Sequence, residues 1–280
     1  MSHLLDLGSR KFWRIAGRSV DLDGRESWLA APMSRSARVA DAWLDAEAAR
    51  RHGHLEPDRP TAGLLSTMAA LDGPGFDAAR LRPEIRDFYE RTAAWQMEVW
   101  TAWSPVFWPA GELVSRVYGR RVEQLALPMR PLDVARGMDS RITLIRDGDG
   151  AQVGAAWIRT LRASGRHAFS GCYSTRTLPG AGRPSVHVAF PLESGNVQVL
   201  LRPSITDDGG LVLESPLGRF GEDGAYVVVS DHGRTYAARA PLHETFHVFV
   251  DRYGVLRTDH EIRLRSRWAV RLHYKLEPKP

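Results

Sequence analysis

The sequence is poor in lysine and nearly devoid of cysteine. Lys11, Lys275 and Lys279 are its only lysines, so the 38 basic residues are almost all arginine. Set against 33 acidic residues, they give a formal charge of +5. This arginine skew reads as a GC-rich coding bias. Arginine and acid alternate along most segments, leaving no basic stripe of the kind a nucleic-acid reader displays, so nucleic acid is not an expected partner. Cys172 stands alone, which excludes an intramolecular disulfide and a cysteine-based zinc site and fits a reducing cytoplasm. No stretch approaches the roughly 18 apolar residues of a membrane-spanning helix. Residues 1–20, with Asp6 and several arginines, do not read as a secretory signal. A soluble cytoplasmic protein is expected, with peripheral membrane contact left open.

Three motifs are also missing. There is no phosphate-cradling G-x-x-x-x-G-K-[ST], no strand-to-helix G-x-G-x-x-G and no G-x-S-x-G elbow, so neither a nucleotide cofactor nor an activated serine is expected. Ser170, Cys172 and Tyr173 carry no mark of an activated nucleophile.

What is present is the composition of a folded globular protein, 43% hydrophobic and 25% charged in 280 residues. The first part carries helical signals. Val39, Trp43, Ala46 and Ala49 recur at helical spacing after Ser36, a candidate N-cap. A short helix is expected over Leu64 to Leu71, before Asp72-Gly73-Pro74-Gly75. From Pro83, Ile85, Phe88, Tyr89, Thr92, Trp95, Val99 and Trp103 recur at helical spacing until Ser104-Pro105, predicting a long helix, and Gly111 to Tyr118 suggests another. The aromatic density from Trp95 to Trp108 reads as a helix face packed into the core, or as a cavity wall or interfacial patch. Pro109, Pro128 and Pro131 mark a linker. The boundary between a mainly helical region, 1–130, and a β domain, 131–280, is placed between Leu127 and Met138.

From about residue 140 the period becomes two. Eleven candidate strands run from Arg141–Arg146 to Trp268–Leu276, separated by turns such as Asp147-Gly148-Asp149-Gly150 and Asp231-His232-Gly233. Short connectors imply antiparallel neighbours. The expected class is α+β, a helical N-terminal part packed on an antiparallel β-barrel or strongly curved sheet of about ten strands, with a two-sheet sandwich as the alternative.

One segment spells a catalytic motif. His243-Glu244-Thr245-Phe246-His247 is H-E-x-x-H, which binds zinc when a helix puts both imidazoles on one face. A helix from Pro241 to Gly254 would show a stripe of Leu242, Phe246, Phe249, Val250 and Tyr253, with Glu261 as third ligand. The residues favour a strand instead, since Thr245, Phe246, Val248, Phe249 and Val250 are β-formers running into a turn at Asp251-Arg252-Tyr253-Gly254. With Gly254 as the left-handed residue, cross-strand pairs sum to 506. Leu242 then faces Leu264, Phe246 faces His260 and Val248 faces Thr258 on an apolar side. His243 and His247 fall on the solvated side, opposite Arg263 and Asp259. No metal is expected.

That register leaves Glu244 and His260 diagonal to each other on the apolar face, where a carboxylate beside an imidazole forms either an acid/base pair or a buried pair that holds register. His187, between Val186 and Val188, faces away from the valines, toward solvent or lumen. The outline resembles lipocalin-like and other ligand-holding barrels. That resemblance, which rests on strand count, implies a cavity for a hydrophobic small molecule, lipid-like or polyketide-like. Trp157, His187, Phe246, Trp95 and Trp103 are the candidate wall residues in this sequence. A cofactor-independent isomerase or cyclase using Glu244 and His260 is the alternative, and zinc hydrolysis through the H-E-T-F-H segment is disfavoured.

Overall fold

A computed structural model describes residues 11–36, 39–107, 137–162, 165 and 167–279. The expected helix over Gly111 to Tyr118 and the proline-rich linker lie outside the described residues. Helix is scarce: α1 (Leu44–Arg50), α2 (Pro83–Glu90), a helical stretch over 11–16 and several 3-10 turns. The strands are β1 (Arg18–Ser19), β2 (His54–Pro57), β3 (Trp95–Trp103), β4 (Met138–Arg146), β5 (Gln152–Leu161), β6 (His167–Arg176) and β7 (Ser185–Leu192). They continue with β8 (Gly195–Ile205), β9 (Leu211–Glu214), β10 (Gly224–Asp231), β11 (Arg234–Arg239), β12 (Leu242–Val250), β13 (Leu256–Leu264) and β14 (Arg267–Pro278). Each of the eleven strands expected from the two-residue period is present, as β4 to β14.

The helical first part is the main correction. The helix expected to run from Pro83 to Trp103 stops at Glu90, and after a 3-10 turn at Thr92–Ala94 the chain becomes β3. The reason is a degeneracy of spacing. Trp95, Val99 and Trp103 lie four residues apart, which returns to one face both in a helix and in a strand. The free edge of β14 decides, pairing with β3 from Val270↔Trp103 to Pro278↔Trp95. Similarly, the helix expected after Ser36 forms only over α1, and the one expected at Leu64 to Leu71 is a 3-10 turn at Met68–Leu71. The region 1–130 thus contributes β1, β2 and β3 to the same sheet as the strands that follow.

Among the described residues all fourteen strands belong to one antiparallel sheet, in the order β2-β4-β5-β6-β7-β8-β9-β12-β13-β14-β3 with β10, β11 and β1 branching from β8. The branch exists because β8 serves two neighbours along one edge. Its first half, Gly195 to Leu200, pairs with β10, and its second half, Arg202 to Ile205, pairs with β9. The order is therefore neither simple up-and-down nor a two-sheet sandwich. The sheet curls until β3 approaches β4, yet no ladder joins them, so it is strongly curved and not closed.

The two sides of the curl differ. The concave side collects Trp157, Val186, Val188, Val199, Leu201, Leu213, Val248 and Leu256 with Ile85, Phe88 and Tyr89 of α2 in one core. On the convex side, β4 to β8 and β10 lie beneath the N-terminal segment. Val39, Trp43 and Leu44 pack on Ile145, Ile158 and Cys172, while Trp28 and Leu29 pack on Leu200, Tyr226 and Val228. Strands covered on both faces lose their alternation, hence the unbroken buried runs Gly154 to Arg159 in β5 and Gly224 to Val229 in β10. The convex side of β12, β13 and β14 is polar. There Arg271 meets Glu261 at 2.6 Å and His273 meets Asp259 at 2.6 Å.

Candidate cavity site

The β12–β13 hairpin forms in the register expected from its turn. Gly254 adopts φ 78°, its amide donates to Asp251 O at 2.9 Å, and the ladder runs from Leu242↔Leu264 through Phe246↔His260 to Val250↔Leu256. Four residues of strand span about 13 Å, so His243 and His247, although on one face, are too far apart to share a zinc ion. Glu244 lies on the opposite, concave face. Among the described residues no group of three or more His, Cys, Asp or Glu is arranged to hold a metal.

The concave face encloses a cavity of about 500 Å³. Its wall draws Trp157 and Phe169 from β5 and β6, Val188 and Val199 from β7 and β8, Phe246 from β12 and Leu272 from β14. At one end Phe88 and Tyr89 of α2 close it, together with the buried Leu64 and Leu276. At the other end Trp103, Phe107, Met138 and Leu264 are part-exposed or exposed and form the rim. An apolar concavity of this size, with few polar groups, is the usual form of a small-molecule site.

Glu244 and His260 stand together on this wall. His260 Nε2 lies 3.1 Å from Glu244 Oε2, and the imidazole stacks on Phe246 with ring centroids 3.7 Å apart. His260 Nδ1 is buried and has no hydrogen-bond partner. The strand start is anchored as well, since the Glu244 amide donates to Ser215 Oγ at 2.7 Å and the Ser215 amide donates back to Glu244 O at 2.9 Å. The carboxylate thus holds one ring nitrogen while the other remains free, an arrangement able to shuttle a proton.

The other expected wall residues divide. Trp157 and Trp103 line the cavity beside Phe246. Trp157 Nε1 donates to Ser140 Oγ at 2.6 Å, which fixes the indole on the wall. Trp95 is buried in the core rather than on the wall, its Nε1 donating to Asp87 Oδ2 at 2.9 Å. His187 lies on the convex face, neither in solvent nor in the lumen. It is fully buried beneath the N-terminal segment, with Nε2 at 2.8 Å from Gln198 Oε1 and Nδ1 at 3.0 Å from Ser174 Oγ. Gln198 Nε2 donates to Leu29 O at 3.0 Å, which fixes the amide orientation and so places the imidazole proton on Nε2. Burial, aided by the nearby Arg176 charge, lowers the His187 pKa to about 3. The sequence misjudged His187 because nothing in a two-residue period says which face another segment will cover.

Arg159, Tyr173 and Tyr274 also line the wall, and the sequence assigned no such place to the first two. Burial raises both phenols above their ordinary range, with the Arg159 charge opposing. Their signal was available: each holds a cavity-facing register position, Arg159 two residues beyond Trp157. On the convex face, burial pushes the Cys172 thiol up to about 12. Ser170 Oγ donates to Ala40 O at 2.5 Å and accepts from Trp43 Nε1 at 2.9 Å, a latch between sheet and N-terminal segment.

No family model matches the chain, and no solved structure matches it. It is similar to a protein of Bacillus subtilis (strain 168) named "Uncharacterized membrane protein YndJ", with 28% identity over 218 residues, 77% of this chain. The chain spans 38% of that relative's length. No helix of the described residues is long and apolar enough to cross a membrane.

Proposed function

We propose that the protein binds a hydrophobic small molecule, lipid-like or polyketide-like, inside its curved sheet. The observation that carries this reading is the cavity of about 500 Å³ with an almost wholly apolar wall. An apolar body bound against such a wall is removed from water together with the wall itself, and burial of apolar surface contributes roughly 25 cal/mol per Å². Native mass spectrometry of the purified protein, together with displacement of an environment-sensitive dye, provides the test. A hydrophobic adduct, and dye binding abolished by Val197→Phe at the wall, are expected. A cavity that takes up no apolar probe, or binding indifferent to that substitution, sinks the proposal.

A second reading rests on the Glu244–His260 contact of 3.1 Å at the same wall. In a cofactor-independent isomerase or cyclase the pair would take a proton from one carbon of the bound molecule and return it to another. Solvent deuterium entering the co-purified ligand, and failing to do so in Glu244→Gln, is the expected signature. Unchanged exchange in that variant removes the pair from any such step. A cytoplasmic location belongs to the same proposal and is supported by the lone cysteine, while the Bacillus relative bears the name of a membrane protein. Fractionation of cells producing the full chain distinguishes the two.

A further inference from the structure

Arg159 is out of place in an apolar cavity. It lies on β5, only 8% exposed, and lines the hollow between Trp157 and Tyr274, with its guanidinium carbon 5.4 Å and 5.8 Å from their ring centroids. Its hydrogen-bond partners are neutral, Met138 Sδ at 3.8 Å and the Tyr274 phenol. No described carboxylate lies within ion-pair distance of it. Glu244 is the one acid on the wall, and it is engaged by His260 at 3.1 Å. Tyr89, Tyr173 and Tyr274 are phenols raised above their usual range and stay neutral, so none offsets the charge. Buried cations are ordinarily paired, because desolvation of a lone charge is costly. Two aromatic faces hold the guanidinium in place without satisfying its in-plane N–H fork.

We infer that Arg159 receives the head group of the ligand, and that this ligand is an amphipathic monoanion: an apolar body ending in one carboxylate. The inference rests on the hydrophobic-ligand reading and narrows it. A planar carboxylate matches the guanidinium fork with two parallel hydrogen bonds. One arginine balances one negative charge, and a dianionic phosphate would face Glu244 in the same cavity with its second charge uncompensated. Met138, which touches Arg159, is a rim residue, whereas Leu64, Tyr89 and Leu276 close the far end. The head therefore sits toward the rim and the tail toward α2.

The test compares dodecanoate with methyl dodecanoate by dye displacement from the full chain, in the wild type and in Arg159→Met. The wild type is expected to prefer the carboxylate on the order of ten- to a hundredfold, as one charge-assisted bidentate contact supplies. Arg159→Met should lose that preference, its carboxylate-to-ester affinity ratio falling to about one, and its circular dichroism and urea-unfolding midpoint report separately that the variant is folded. Arg159→Lys, retaining the charge without the fork, should keep part of it. Equal affinity for both probes in the wild type, or a preference retained in Arg159→Met, overturns the inference and leaves hydrophobic binding standing. A wild type that binds neither probe overturns both.

Discussion

Acid should loosen this protein through His187, and the size of the effect follows from where that imidazole sits. Its pKa is about 3 in the folded chain because burial, then the Arg176 charge, disfavour the protonated ring. In the unfolded chain it titrates near 6.5. The folded state therefore binds fewer protons between those values, and stability that is complete above about pH 6.5 falls as the pH drops, levelling off only near pH 3. At pH 4.5 the unfolded state has gained about two decades of protonation that the folded state refuses, roughly 2–3 kcal/mol. Protonation would also put a second donor on Nδ1, 3.0 Å from Ser174 Oγ, beneath a segment already tied to Gln198 through Leu29 O. Urea unfolding of the wild type and of His187→Gln at pH 7.5, 6.0, 5.0 and 4.5 isolates this contribution from the carboxylates, which both proteins share. The stability gap between them should shift in favour of the variant by that amount over the range. A gap independent of pH would refute the placement of His187 in a sealed, neutral network.

Glu244→Leu leaves His260 with neither nitrogen paired and should cost about 1–3 kcal/mol in urea unfolding, whereas Glu244→Leu with His260→Leu should recover most of it. A double variant no more stable than the single would show that the pair does not act as a unit. Along β3, Met97→Ala removes a cavity-wall side chain and should cost about 1–2 kcal/mol, while Trp100→Ala on the convex face should stay within about 0.5 kcal/mol. The reverse order would argue for a helix there. Cys172, buried and pushed up to about 12, should resist a thiol-specific disulfide reagent at pH 8 until urea unfolds the chain. Labelling of the native protein at the rate of a free thiol would contradict its burial.

Much of the hairpin geometry was legible in local chemistry. Gly254 at φ 78° and the apolar alternation of Leu242 to Val250 and Leu256 to Leu264 sufficed for the register, and with it the meeting of Glu244 and His260. Turn residues and strand period act over a few residues, so adjacent strands can be read from them. Arg159, by contrast, lies in β5 where every residue from Gly154 to Arg159 is buried, so burial does not alternate there and only its place two residues beyond Trp157 pointed to the cavity.

What the sequence determined by itself, then, is the run of strands β4 to β14, the inward face of β12 and β13, and the placement of His243 and His247 on a strand. The tertiary structure alone decided three things. It made Trp95–Trp103 a strand, because four-residue spacing fits helix and sheet alike and only the open edge of β14 breaks the tie. It branched the sheet at β8, because which of two later strands reaches a free edge depends on chain closure over long separations rather than on local preference. It also buried His187, because the N-terminal segment that covers the convex face lies some 150 residues away in the chain, as the Gln198–Leu29 contact at a separation of 169 shows. No period within β7 carries that information.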